Sequence, residues 1–284
     1  MPPIALVLII AAAAMHAGWN LIVKRVDEKQ IFTWWALVFG TILYLPLLAI
    51  NDVPAGVWPY AVASAIVEAV YFMILIRAYD TCDFSQVYPI ARGAAPALLA
   101  VWAILFLGER PEPAGILGLT LLLAGLIIVG AGRFWSGPRA VAMNRNAIMI
   151  ALAVALCISI YSAIDAAAVR IMSPAAYNVL VLGLTSIFIT PVVLARYGVR
   201  SIIAEGRASA WRIIAVGTLL LLSYLMVLEA YSRGRASYVG ALREISVVIA
   251  AVAGWRFLGE GFGAQRTAGA LLIFSGIIVV AVAG

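Results

Sequence analysis

Phe106-Leu107-Gly108-Glu109 recurs 151 residues later as Phe257-Leu258-Gly259-Glu260. An arginine precedes each copy by the same distance: Arg92 lies sixteen residues before Gly108, and Arg243 sixteen before Gly259. Downstream the match continues, Gly118 pairing with Gly269 and Gly125 with Gly276. The earlier helices align at a slightly different offset, Asn20 and Arg25 with Asp165 and Arg170, and Pro46 with Pro191. Repetition of this kind in an apolar chain points to two related halves, the construction of many membrane transporters.

Composition sets the environment. Hydrophobic residues make up 65% of the 284-residue chain and charged residues 11%, well short of the quarter charged that is usual in a soluble domain. The apolar residues fall in runs of about twenty, the length that spans hydrocarbon as a helix. They lack the period-two alternation of a barrel strand, and in lipid the backbone must bond to itself, so the runs read as helices. The spans are 3–23, 32–50, 57–79, 85–107, 113–132, 146–169, 174–195, 210–231, 236–258 and 264–283. The polar stretches Arg133–Arg145 and Arg196–Arg212 read as the longest loops. The expected fold is all-α integral membrane: ten transmembrane helices as two inverted five-helix repeats, 1–135 and 146–284. Inversion follows from the odd number of spans per half, because the second half enters the membrane upside down relative to the first.

Loop charge gives orientation. Thirteen lysines and arginines flank the loops after odd-numbered spans and only four, Arg110, Arg170, Arg233 and Arg235, those after even-numbered spans. The positive-inside rule places the odd loops in the cytoplasm and both termini outside. The net charge of +6 is this loop excess and not a nucleic-acid footprint. Ile4–Ala14 followed by Met15-His16-Ala17 mimics a signal peptide, but no basic segment precedes it, and it reads as a retained helix. Cys82 and Cys157 have no metal-ligand or disulfide pattern, and His16 is the sole histidine. No phosphate loop, zinc spacing or nucleophile elbow occurs, so neither an enzyme nor a cofactor is expected.

Ionisable groups inside spans are costly and mark pathways or partners. They are His16, Glu68, Arg92, Asp165, Arg243 and Glu244, with Glu229 nearer a helix end. Arg92 sits between Pro89 and Pro96 in Tyr88-Pro89-Ile90-Ala91-Arg92-Gly93-Ala94-Ala95-Pro96. Each proline removes a donor and frees a carbonyl, so a weakened turn is expected beside this arginine. Two readings stay open: Arg92 and Arg243 bind an anionic group, or they lock the halves through Glu68, Asp165 or Glu244. His16 is either a proton relay or a packed, hydrogen-bonded ring. Asp165 reads as an unpaired carboxylate that needs a proton or a cation. Tyr71, Tyr88, Tyr161 and Tyr224 lie deep enough to line a cavity, whereas Trp34, Trp35, Trp58 and Trp211 suit the interface. The paired glycines read as a close contact between spans five and ten.

Two halves of five spans, Pro-Ile-Ala-Arg-Gly in the fourth span, and Phe-Leu-Gly-Glu closing the fourth and ninth resemble the drug/metabolite transporter superfamily. Within it the chain is similar to the ten-helix proteins whose halves are called EamA domains. The resemblance covers essentially the whole chain. It implies a central cavity lined by helices one, three, four, six, eight and nine, and export of amino acids or other small metabolites across a bacterial inner membrane. His16-Ala17-Gly18-Trp19-Asn20 also resembles a branch found beside phosphonate-utilisation genes. The family habit of cytoplasmic termini runs against the loop charges, which are followed here. The expected substrate-binding set is Arg92, Arg243, Glu68, Asp165, Tyr88, Trp19, Asn20, Tyr161, Glu244 and Tyr224, with His16, Glu68 and Asp165 as proton-relay candidates. The expected partners are a small-molecule substrate and the lipid bilayer, with protons a candidate coupling ion; no nucleic acid and no metal are expected. A monomer is expected, a dimer being the other option. The rival functions are a multidrug or organic-cation exporter and a non-transporting or lipid-flippase-like protein.

Overall fold

The computed structural model describes residues 2–81, 84–135, 145–246 and 264–283. Among them the chain is helical and without strands, as backbone self-satisfaction in lipid requires. The helices are α1 (Pro3–Lys24), α2 (Lys29–Tyr44), α3 (Pro46–Ala49), α4 (Trp58–Thr81), α5 (Phe84–Phe106), α6 (Pro113–Trp135), α7 (Arg145–Ala168), α8 (Pro174–Ala208), α9 (Ala210–Arg233), α10 (Ala236–Leu242) and α11 (Ala264–Ala283). Pro3, Pro46 and Pro174 open their helices, where a missing amide hydrogen costs nothing. Six helical stretches are long and apolar enough to cross a membrane by themselves, and three shorter apolar ones lie in α5, α6 and α11. The second span is interrupted: α2 stops at Tyr44 and α3 resumes at Pro46, whereas the matched Pro191 is carried inside α8.

The halves interleave. The most extensive helix pairs among the described residues, α6 with α11, α5 with α7, α1 with α9 and α4 with α7, each join one half to the other. Exchanging the halves maps α1–α9 onto α4–α7 and leaves α6–α11 paired with itself, as a two-fold axis between inverted repeats demands. The α6–α11 contact is glycine-mediated: a Cβ on Gly276 would lie 2.6 Å from the Gly118 carbonyl oxygen, and one on Gly125 2.6 Å from that of Gly269. This pair stands clear of the cavity described below and serves as scaffold.

Two expectations change. The polar stretch 196–212 is mostly helix: α8 breaks only at Gly198 (φ 72°) and continues to Ala208. This segment lies flat enough to bury Ile202 while Arg200 and Arg207 stay exposed, and the Trp35 indole donates to the Ile202 carbonyl at 2.8 Å. The weakened turn also moves. In the first half α5 runs unbroken past Pro89 and Pro96. In the second half, which has no proline there, α10 ends at Leu242 and Arg243–Glu244 form a turn. The Glu244 amide reaches the Ala241 carbonyl at 3.1 Å and the Ser246 amide that of Arg243 at 3.3 Å, the three-residue spacing of a tightened turn.

The Phe-Leu-Gly-Glu stretch acquires a structural meaning. Gly108 takes φ 67°, a left-handed turn closed to most side chains, and the Glu109 amide returns to the Ala103 carbonyl at 3.1 Å. Turned this way, the Glu109 carboxylate accepts from the amides of Ala236 (2.5 Å) and Ser237 (3.2 Å) and from the Ser237 hydroxyl (2.6 Å). The first half thus caps the N-terminus of α10 in the second, satisfying donors a helix start otherwise leaves orphaned. The second copy, Phe257–Glu260, lies outside the described residues.

Candidate functional site

A cavity of about 280 Å³ lies between the halves. Its walls come from α1, α4, α5, α7 and α9, from Arg243 just after α10, and also from α2 (Lys29, Gln30, Thr33, Leu37) and α8 (Leu182, Thr185), two spans outside the expected set. The lining reaches Val23, Lys29, Gln30 and Leu75, at the ends of α1, α2 and α4 that face the odd-numbered loops. On the opposite side α10 is fastened by Glu109 and packs on α5, where Leu99 fills the space beside Gly240. Among the described residues the lining therefore extends toward the odd loops, and the Glu109 clamp lies on the even-loop side.

Arg92 and Arg243 both line it, in different states. Arg92 donates through Nη1 to Glu244 Oε1 at 3.0 Å, and its Nη2 lies 2.7 Å from His16 Nε2. A guanidinium only donates, so His16 Nε2 must accept; the ring is neutral and its proton sits on Nδ1. A protonated His16 would place a second cation against Arg92, so this geometry disfavours proton relay through His16. Trp19 meets the His16 ring edge-on at 4.7 Å, and Asn20 donates its side-chain amide to the His16 carbonyl at 2.7 Å.

Among the described residues the Arg243 side chain makes no hydrogen bond or ion pair, and its Nε is buried without a partner. The pseudo-symmetry explains why. Glu244, the acid that pairs with Arg92, corresponds in the first half to Gly93, so the reciprocal partner of Arg243 has no side chain. Glu244 itself is 1% exposed, lies outside the cavity lining and leaves Oε2 unpartnered.

The two carboxylates of the first and second halves also differ. Asp165 is fully buried behind the wall and is not unpaired, contrary to expectation. Ser64 of α4 (2.5 Å) and Tyr177 of α8 (2.7 Å) donate to Oδ1, and Tyr224 of α9 to Oδ2. Four helices meet at this one carboxylate, and Tyr224, which also lines the cavity, links it to the wall. Glu68 faces the cavity, with Thr185 Oγ1 2.7 Å from its Oε2. Tyr71 and Tyr161 stand beside it, ring centres 6.3 Å apart. The Tyr88 side chain lies outside the described residues.

Of the ten expected binding residues, Glu68, Arg92, Arg243, Trp19, Asn20, Tyr161 and Tyr224 come together at the cavity, whereas Asp165 and Glu244 sit one layer back. Sequence reasoning missed Ser64, Tyr177, Thr185 and Glu109. Ser64 carried a signal, since it lies one turn before Glu68 on the same face of α4; Tyr177 and Thr185 carried none.

The family model described as EamA-like transporter family matches residues 3–131 and again residues 145–282. No curated protein matches. A solved structure described only as the crystal structure of a protein is similar over 99% of both chains, with a TM-score of 0.74 at 16% identity, a likeness of fold alone. The two matches cover nearly the whole chain, and it belongs to the EamA-like transporter family of the drug/metabolite transporter superfamily.

Proposed function

We propose that the protein is a secondary active transporter that exports a small zwitterion or organic anion of amino-acid size across the inner membrane by alternating access. The observation that carries this reading is the Arg243 guanidinium in the cavity wall, which no described residue binds by a hydrogen bond or ion pair. A half-buried charge at membrane depth that no ion pair satisfies favours a counter-charge, and an anionic solute supplies it. Arg243 sits at the turn that ends α10, a discontinuity of the kind that holds substrate in inverted-repeat transporters. Glu68 offers a carboxylate to an ammonium group, and the faces of Tyr71, Tyr161 and Tyr224 suit its cationic end. The cavity volume of about 280 Å³ leaves room for a solute of amino-acid size. With the odd loops cytoplasmic, the end of the lining at Val23, Lys29, Gln30 and Leu75 faces the cytoplasm, the side from which an exporter loads.

A thermal-shift panel of the twenty common amino acids and their decarboxylated amines on purified protein tests the reading. Stabilisation by one or more acids, abolished in Arg243→Ala, is expected, followed by flux of those acids in liposomes. Stabilisation by the amines alone, unaffected by Arg243→Ala, would replace it with the organic-cation exporter. A reporter fused after Gly284 tests orientation, periplasmic activity being expected.

A further inference from the structure

We propose that a second opening, beside the Glu109 clamp, binds a phosphoryl group, carried by free phosphate or by a phospholipid headgroup, and that the bound group holds the clamp shut. The opening, of about 560 Å³, is lined by Pro2, Glu109, Arg170, Arg233, Arg235 and Tyr238 among others. Only four cations flank the even-numbered loops, Arg110, Arg170, Arg233 and Arg235, and three of them converge here. They come from separate junctions: Arg170 lies between α7 and α8, and Arg233 and Arg235 lie either side of Gly234 where α9 gives way to α10.

Three like charges around one opening repel one another, and the neighbouring carboxylates offset them incompletely. Glu229 takes Arg233, with its Oε2 at 3.3 Å from Nε and 2.9 Å from Nη2. Glu109 lies 4.0 Å from Arg170 Nη2, beyond hydrogen-bond reach, and its oxygens are committed to the first turn of α10. Arg235 has no carboxylate partner among the described residues; its Nη1 donates to the Tyr238 hydroxyl at 3.2 Å, and its guanidinium carbon lies 5.3 Å from the centre of that ring. Two guanidinium groups are thus steadied and keep hydrogens uncommitted, and Arg170 makes no side-chain hydrogen bond among the described residues. A carboxylate has two oxygens and is served by two such forks. A third fork suits the tetrahedral oxygens of a phosphoryl group. The position agrees. Pro2 leads into α1, whose Ile4 and Val7 are exposed, so the opening meets the lipid-facing surface at the even-loop end of the spans, the level of phospholipid phosphates. A group held between Arg170 and Arg235 bridges the α7–α8 junction to the start of α10. Opening of the even side has to draw α10 away from Glu109, and this bridge opposes it. The lock rests on the alternating-access reading; the site does not.

Thermal unfolding in dodecyl maltoside micelles, with phosphate set against chloride at equal ionic strength, tests the site without any transported solute. A second series dopes the micelles with phosphatidylglycerol, phosphatidylcholine serving as the blank for bulk lipid. A midpoint raised by phosphate supports the site with the free ion as its source; one raised by phosphatidylglycerol alone supports it with the headgroup as its source. The gain should be lost in Arg170→Gln, which breaks no hydrogen bond. It should be kept in Arg200→Gln, which removes the same charge from the odd side, and in Arg243→Ala, which empties the central cavity of its guanidinium. No gain over the blanks from either probe, a gain that survives Arg170→Gln, or one lost in Arg200→Gln or Arg243→Ala overturns the site. Hydrogen exchange reads the lock: with the active probe, the Ala236 and Ser237 amides bonded to Glu109 should exchange more slowly in wild type and unchanged in Arg170→Gln. Exchange there indifferent to a probe that raises the midpoint overturns the lock. Neither measurement involves the solute, so failure here leaves the reading of Arg243 standing, and absence of amino-acid binding leaves this site standing.

Discussion

Replacing Glu109 by alanine should cost about 3 kcal/mol of stability, and the figure can be assembled from its contacts. The carboxylate is 7% exposed and accepts from two amides and one hydroxyl of α10's first turn. Net contributions of hydrogen bonds to a charged group run about 1.5–3 kcal/mol, and an orphaned buried donor costs about 1–3 kcal/mol. Ala236 and Ser237 are 1% and 0% exposed, so both amides would be stranded. Simple addition would exceed 5 kcal/mol by these rules, but Glu109 also borders an opening lined by Arg170, Arg233 and Arg235. Water entering from there recovers part of the loss, which brings the expected cost down to about 3 kcal/mol. Ser237→Ala removes one bond and should cost about 1 kcal/mol. The pair should then couple by about 1–2 kcal/mol in a double-mutant cycle. Equilibrium unfolding in mixed detergent micelles, followed by tryptophan fluorescence, measures all three variants. A Glu109→Ala protein within about 0.5 kcal/mol of wild type, or strict additivity with Ser237→Ala, would refute the clamp.

Other perturbations separate structure from solute binding. Arg92→Ala strands Glu244 at 1% exposure and should cost about 3–5 kcal/mol, most of it recovered by adding Glu244→Gln. Arg243→Ala strands no partner, so its unfolding free energy should stay within about 1 kcal/mol of wild type while ligand-induced stabilisation disappears. Gly276→Ala pushes a methyl against the Gly118 carbonyl and should cost about 1–3 kcal/mol, read by the same unfolding assay. Asp165→Asn leaves three hydroxyls competing for one acceptor oxygen and should lose about 1–3 kcal/mol; an unchanged midpoint would contradict the hub described for it.

The architecture was legible because lipid leaves few options. Apolar runs of spanning length must be helices, and an odd number of them in a repeated half must invert. The paired glycines announced the α6–α11 contact for a similar reason, since close backbone approach is the main use of small residues at such positions. Within the site, charge placement was legible and pairing was not. Arg92, Arg243 and Glu68 were visible as ions inside spans, yet nothing local said that Glu244 would take Arg92 and leave Arg243 alone. That outcome depends on a long-range match between residues 152 apart in sequence. Asp165 looked unpaired because its three donors, Ser64, Tyr177 and Tyr224, are scattered over three other helices. The prolines misdirected the search for a break: α5 absorbs Pro89 and Pro96, and the turn falls at Arg243, where no residue type marks it. Segment 196–212 was too polar for a span but amphipathic enough for a surface helix, a pattern hidden by its arginines.

The Glu109 cap also orders events during synthesis. The carboxylate leaves the ribosome 127 residues ahead of the Ala236 amide it will accept from. Through that interval it has no donor within its own half, and burying it unpaired would be prohibitive. The turn at 107–112 must therefore wait at the watery boundary of the bilayer while four more segments are threaded in. Only the arrival of residue 236 lets it sink and the first half close. A nascent chain arrested short of that point should expose Glu109 to aqueous carboxyl-reactive reagents, and one arrested beyond it should not.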